Sequence, residues 1–265
     1  MTITTDQAPI QQDLPASKSG PQGTASVLKA LQILDVFRGS GAAMGVSDIA
    51  RRTDVPTSTA FRLLAYLVES GFVAKDGTLY RPGDKLFELG NQVALCRPLG
   101  LREQAAPYLG ELYAATGMTV RMAVLDGTEI VIVNKIVGLR TLPAPTAIGG
   151  RTSALCTALG KALLAFQPAE RITPLLRGPL PRRTRHSVVN PRFLQRRLIE
   201  TRSTRLAYDQ EESILGQVCV ATPILRDGIA VTAISLSAPT HQVNQHQAGA
   251  ALLRAATRLE RALKP

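Results

Sequence analysis

Few residues that build metal or disulfide frameworks are present. Three cysteines, Cys96, Cys156 and Cys219, and three histidines are spread over 265 residues. A widely spaced, odd set of cysteines excludes a full disulfide framework and any CxxC metal site, and it fits a reducing cytosol. His241 and His246 stand too far apart to stack on one helical face, with no cysteine nearby, so no metal site is expected. No apolar run approaches the ~20 residues that a bilayer span requires. The opening "MTITTDQAPIQQDLPASKSGPQG" has neither a basic n-region nor an apolar h-region. The chain is therefore expected to be cytoplasmic, with no membrane partner, and residues 1–24 to form a flexible, solvated tail.

Catalytic signatures are also missing. "GGRTSALCTALGKA" is superficially like a phosphate loop, but Leu155 and Ala162 stand where the Walker pattern needs Gly and Ser/Thr. There is no GxSxG elbow and no HExxH. Asp209, Glu211 and Glu212 cluster, yet spacing assigns them no acid–base partner. No catalytic residue and no cofactor is expected.

Positive charge is abundant, with 31 Lys+Arg against 20 Asp+Glu, but it is unevenly placed. Residues 26–95 carry 8 basic against 7 acidic groups, whereas the stretch 177–205 holds nine Arg and one Glu. That stretch reads as a solvated basic loop and helix face or, alternatively, as a secondary contact with nucleic acid or an acidic neighbour. Bulk charge alone cannot argue for nucleic-acid binding here, so local geometry must.

"SVLKALQILDVFR" (26–38) places Val27, Leu31, Leu34 and Phe37 at helical spacing behind a Ser cap. "SDIARRT" (47–53) predicts a short helix capped by Ser47, with Ile49 and Ala50 inward. "DVP" makes a tight connection, and Pro56 suits the first position of the next helix, which Gly71 closes. "FVAKDGTLYRPG" predicts a hairpin around Asp76-Gly77. Helix, short helix, turn, helix and hairpin, in that order, describe a winged helix-turn-helix.

The third helix carries the functional argument. Ala60, Leu63, Leu64, Leu67 and Val68 share one face, and Phe61 borders it. Thr57, Ser58, Thr59, Arg62, Tyr66 and Glu69 lie opposite. Thr57 or Ser58 could simply cap the helix. Behind a short helix and turn, however, a first turn of three hydroxyls with Arg62 stacked on Ser58 suits the major groove of duplex DNA. Thr57, Ser58, Thr59, Arg62 and Tyr66 are the candidate DNA contacts.

Further along, "DKLFELGNQVALC" (84–96) predicts a connecting helix, broken by "RPLG" (97–100), and "LREQAAPYLGELYAATG" another helix. Hairpins are predicted around Asp126-Gly127 and Asp227-Gly228. "SALCTALGKALLAF" (153–166) predicts one helix, and a last helix runs from about Val243 to Leu263. Antiparallel hairpins bracketed by helices make the second half α+β. The division expected is a tail (1–24), a winged helix-turn-helix domain (25–83, its helix-turn-helix about 47–66), a linker helix (84–100) and an effector domain (101–265).

"VSDIARRTDVPTSTAFRLLAYLVESGFVAKDGTLYRPGDKLFELG" resembles the DNA-binding half of IclR-type transcriptional regulators. "CTALGKALLA", "AYDQEESILGQVCVATPI" and "AISLSAP" resemble their effector domain, so the likeness covers residues 26–265. It implies a GAF-like antiparallel sheet flanked by helices and a homodimer built through the N-terminal domains, often paired again into a tetramer. It also implies a palindromic operator and a small-molecule effector, either repression or activation being compatible. Carried over, the effector pocket is a polar cup under the sheet. Ala158 and Leu159 would offer backbone N–H groups near a helix start, and Asp209, Cys219, Ser235 and Ser237 side chains. Ser235 and Ser237 are two apart on a strand and so share a face. Without the resemblance, the serines also read as a solvent-facing row and Cys219 as core filling. Two other functions remain to be weighed: an architectural DNA binder without ligand control, and a small-molecule enzyme acting through Asp209.

Overall fold

The structure is a computed structural model describing residues 26–38, 43–93, 96, 100–139 and 147–263. The predicted tail lies outside the described residues.

Three helices and a small sheet open the chain. α1 (Ser26–Val36), α2 (Val46–Thr53) and α3 (Thr57–Glu69) surround a core of Ile33, Phe37, Ile49, Leu63, Leu64 and Leu67. β2 (Val73–Asp76) and β3 (Leu79–Pro82) form the hairpin, and Val73 and Tyr80 close the core from that side. β1 (Met44–Gly45), which the sequence reading missed, pairs with β3. A strand of two residues carries no periodicity to detect.

Three details differ from expectation. In α1 the inward residue is Ile33, while Val27 and Leu31 are exposed on a second apolar face. The helix is apolar on more than one side, so spacing could not choose between faces. Ser47 lies inside α2, whose cap position is Gly45 with no side-chain bond. Pro56 occupies the cap position of α3 rather than its first turn.

α4 (Asp84–Gly90) is shorter than the predicted connecting helix. It buries none of its residues, and Asn91 Nδ2 bonds back to Phe87 O at 3.0 Å, so nothing in the interior supports further turns. Part of the predicted linker, residues 94, 95 and 97–99, lies outside the described residues.

The remainder is built on one six-stranded antiparallel sheet. Its strands are β4 (Thr119–Asp126), β5 (Glu129–Ile136), β6 (Arg151–Ser153), β7 (Ala207–Gln210), β8 (Gln217–Arg226) and β9 (Ile229–Pro239), ordered β6-β5-β4-β9-β8-β7. The hairpins predicted at Asp126-Gly127 and Asp227-Gly228 are present. At the second, Asp227 (φ 53°) and Gly228 (φ 77°) both take the left-handed conformation that a two-residue primed turn demands.

Each sheet face has its own helical cover. α5 (Leu101–Thr116) and α9 (Gln245–Ala262) pack on one side, against Val120, Met122, Val220, Ile234 and Leu236. α6 (Ala158–Leu164) packs on the other, with α7 (Ala169–Arg177) and α8 (Pro191–Thr204) outside it. The predicted helix 153–166 is interrupted before α6. Ser153 ends β6, residues 154–156 make a 3₁₀ turn, and Thr157 is extended so that its Oγ1 can accept from Gly160 N at 3.1 Å. A Cβ on Gly160 would fall 2.0 Å from the Ala154 carbonyl oxygen, so only glycine lets this turn fold back so closely.

Candidate functional site

α3 separates its side chains as the amphipathic pattern requires. Ala60, Leu63, Leu64 and Leu67 are buried; Thr57, Ser58, Arg62 and Tyr66 are exposed and Thr59 half-buried. Pro56 at the cap contributes no side-chain hydrogen bond, and the first turn is not closed by a hydroxyl at that position. The simple capping reading therefore loses ground. Phe61 is 55% exposed, and Lys75 Nζ on the hairpin lies 5.9 Å from its ring centre.

The second site follows from strand register. Arg121 on β4 stands opposite Ser235 on β9; Ser237 stands opposite Cys219 on β8, and Cys219 opposite Asp209 on β7. Because side chains alternate across a strand, these residues fall on one face, the face covered by α6. Between sheet and helix lies a cavity of about 60 Å³. Ile130, Ile132, Leu159 and Ile214 form its apolar wall, and Arg121, Asp209, Gln217, Cys219 and Ser235 its polar one. Thr152, Thr157, Ser213 and Arg183 complete the lining.

Of the six residues carried over from the resemblance, Leu159, Asp209, Cys219 and Ser235 meet at this cavity. Ala158 is fully buried at the first position of α6, outside the lining, and Ser237 also stands outside it. Instead Arg121 Nη1 donates to Ser237 Oγ. Both serines are buried, so the reading of a solvent-facing row fails.

The electrostatics are those of a dry site. Asp209 is 2% exposed and accepts from Glu212 N (2.7 Å), Ser213 N (3.2 Å) and the Ser213 hydroxyl. Burial pushes its carboxyl up to about 6, against the Ser213 hydrogen bond and the nearby charge of Lys161. The Cys219 thiol is pushed up to about 12, first by burial and then by the negative charge of Asp209. It therefore stays neutral and serves as a small wall residue. Burial also lowers the pKa of Arg121, but an arginine keeps its charge. Beside the cavity, Lys161 Nζ meets Glu212 Oε1 at 2.6 Å in a nearly solvent-free pair. Thr184 Oγ1 and Ser187 Oγ donate to the backbone carbonyls of Glu211 and Glu212, each at 2.7 Å, and tie down the loop after β7.

Arg121 and Gln217 were not identified as site residues from sequence. A signal for Arg121 did exist. "TVRMAV" is buried at nearly every position, and one arginine in a strand covered on both faces must have a special environment.

Comparisons with known proteins agree with this two-part arrangement. The IclR helix-turn-helix domain matches residues 26–77, and the bacterial transcriptional regulator IclR C-terminal domain matches residues 93–261. The HTH-type transcriptional regulator XynR of Escherichia coli is 33% identical over 244 residues, covering 87% of this chain and 96% of XynR. The transcriptional repressor IclR of the same organism is 31% identical over 242 residues, 87% of either chain. Among solved structures, an IclR homolog from Microbacterium hydrocarbonoxydans complexed with 4-hydroxybenzoate superposes with a TM-score of 0.84 at 25% identity, over 90% of this chain and 99% of that one. The Thermotoga maritima IclR superposes with a TM-score of 0.75 at 31% identity, over 90% and 98%. The chain belongs to the IclR family of DNA-binding, helix-turn-helix transcriptional regulators.

Proposed function

We propose that the first turn of α3 enters the major groove of the operator, and that a small metabolite, an organic acid bound between the sheet and α6, modulates that binding. Thr57, Ser58 and Thr59 reach phosphates or base edges, Arg62 reads a base acceptor and Tyr66 lies along the backbone. Leu159, Asp209, Cys219 and Ser235 wall the effector, Ser237 acts on it through Arg121, and Ala158 supports the start of α6. The observation that carries the effector class is Arg121. A buried cation lines the cavity, and among the described residues its side chain bonds to a neutral hydroxyl, Ser237, and forms no ion pair. An uncompensated buried charge is costly, and an anionic ligand offsets that cost. The similar IclR homolog complexed with 4-hydroxybenzoate supports an acid as the class of ligand.

Residues 25–83 then act as the DNA-binding unit, 84–100 as its link, and 101–265 as the sensor, with no catalytic step. Exposed Val27, Leu28 and Leu31 on α1 and Phe87 and Leu89 on α4 support pairing with a second copy, as a dimer or a pair of dimers. A thermal-shift screen of small carboxylic acids, followed by gel shifts on DNA flanking the gene, tests the reading. An acid that raises the melting temperature is expected to change retention of that DNA. Stabilising acids that leave retention unaltered would defeat it.

A further inference from the structure

Two buried polar atoms lining the cavity, Arg121 Nε and Gln217 Oε1, have no hydrogen-bond partner among the described residues, and Ser235 Oγ beside them has only the weak Cys219 thiol. Buried polar groups are ordinarily paired, and an unpaired one is destabilising. Such atoms on one cavity describe the ligand that completes them.

Their positions differ. Arg121 and Ser235 are direct cross-strand partners on β4 and β9. Opposed side chains of this kind have Cβ atoms roughly 5 Å apart, so one guanidinium N–H and one hydroxyl can converge on a single carboxylate. Arg121 cannot swing away, because its Nη1 is held by Ser237 Oγ. Gln217 is elsewhere. It pairs with Pro239, four residues along β9 from Ser235, or roughly 13 Å of strand. Its amide oxygen can only accept, so it calls for a donor on the ligand, set well apart from the carboxylate. Asp209 lines the same cavity and disfavours a second carboxylate there. Between the two ends the wall is apolar: Ile130, Ile132 and Leu159.

Building on the regulator reading above, we infer that Arg121 and Ser235 form the carboxylate seat of the effector, and that Gln217 selects a hydroxyl at its far end. The effector is thus a compact monocarboxylate with a remote hydroxyl, held at the sheet rather than at the start of α6.

Four matched probes test this on the full chain by calorimetry: 4-hydroxybutyrate, butyrate, 4-hydroxybutyramide and succinate. The parent is expected to bind 4-hydroxybutyrate best. Loss of the hydroxyl should weaken binding about tenfold, and loss of the charge more than that; succinate should fail to bind. Arg121→Gln keeps a donor for Ser237 and should bind acid and amide alike, while Arg121→Lys should restore part of the preference for the acid. Gln217→Leu should erase the difference between 4-hydroxybutyrate and butyrate. Far-UV circular dichroism and melting temperature establish that each variant is folded. Failure of the parent to bind the hydroxy acid, or an Arg121→Gln variant that still prefers acid over amide, overturns the seat. Gln217→Leu that still distinguishes the two acids overturns the hydroxyl selector. Gel shifts on the same samples separate the two levels. DNA retention that still responds to the acid in Arg121→Gln removes the seat and leaves the regulator intact; a seat that behaves as described without changing retention removes the proposed control.

Discussion

The first turn of α3 and the floor of the cavity are both built from polar side chains on an otherwise apolar frame, but they pay for polarity differently. On α3 Thr57, Ser58 and Arg62 face water, which satisfies them at no cost until a partner displaces it. In the cavity, Arg121, Asp209, Ser235 and Gln217 are enclosed, so each is either paired inside the protein or waits for a ligand. An exposed recognition surface can thus be changed with little effect on folding. An enclosed one ties recognition to stability.

The strongest way to break that comparison is at the buried ion pair. Lys161→Met leaves Glu212 enclosed without its cation and is expected to cost about 3–5 kcal/mol in urea unfolding. The double change Lys161→Met with Glu212→Leu should recover most of that loss. A single variant as stable as the parent would show that the region tolerates unpaired charge.

Asp209 sharpens the comparison through pH. Its native carboxyl titrates at about 6, above the ordinary 3.8, so the folded state holds the proton more tightly than the unfolded one. Stability from this group is therefore present below the lower value and is lost as pH rises through about 6. The shift corresponds to roughly 3 kcal/mol. Asp209→Asn should remove that part of the slope, read as the difference between variant and parent in melting temperature from pH 4 to 7. Parallel profiles would mean the carboxyl is not desolvated. Smaller still, Ser237→Ala removes the acceptor that holds Arg121 and should weaken effector binding by about 0.5–1.5 kcal/mol. Operator binding without ligand should stay near that of the parent, and identical ligand titrations would count against the Arg121–Ser237 contact.

The same contrast explains what could be read from the sequence. α3 was legible because an exposed amphipathic helix writes its orientation in a 3.6-residue period, and the three hairpins because Asp-Gly pairs mark their turns. The faces of α1 were not, since Val27 and Ile33 are equally apolar and only tertiary packing chooses between them. The break at Thr157 was hidden because "TALGKALLA" has good helical propensity, which the cap on Gly160 and the close approach to Ala154 override. In the cavity, Ser235 and Cys219 were reached through family likeness. Arg121 and Gln217 belong to it through strand register, and register between distant strands leaves no local trace. Ser237 was placed on the correct face, but its contact with Arg121 spans 116 residues.

The most direct measurement is a gel-shift titration comparing parent and Arg62→Ala on DNA flanking the gene and on a scrambled duplex of equal length, with melting temperatures recorded alongside. The parent is expected to prefer the flanking DNA, and Arg62→Ala to lose about 1–3 kcal/mol of that affinity while melting as the parent does. Equal affinity of the two proteins for the flanking DNA would contradict this expectation.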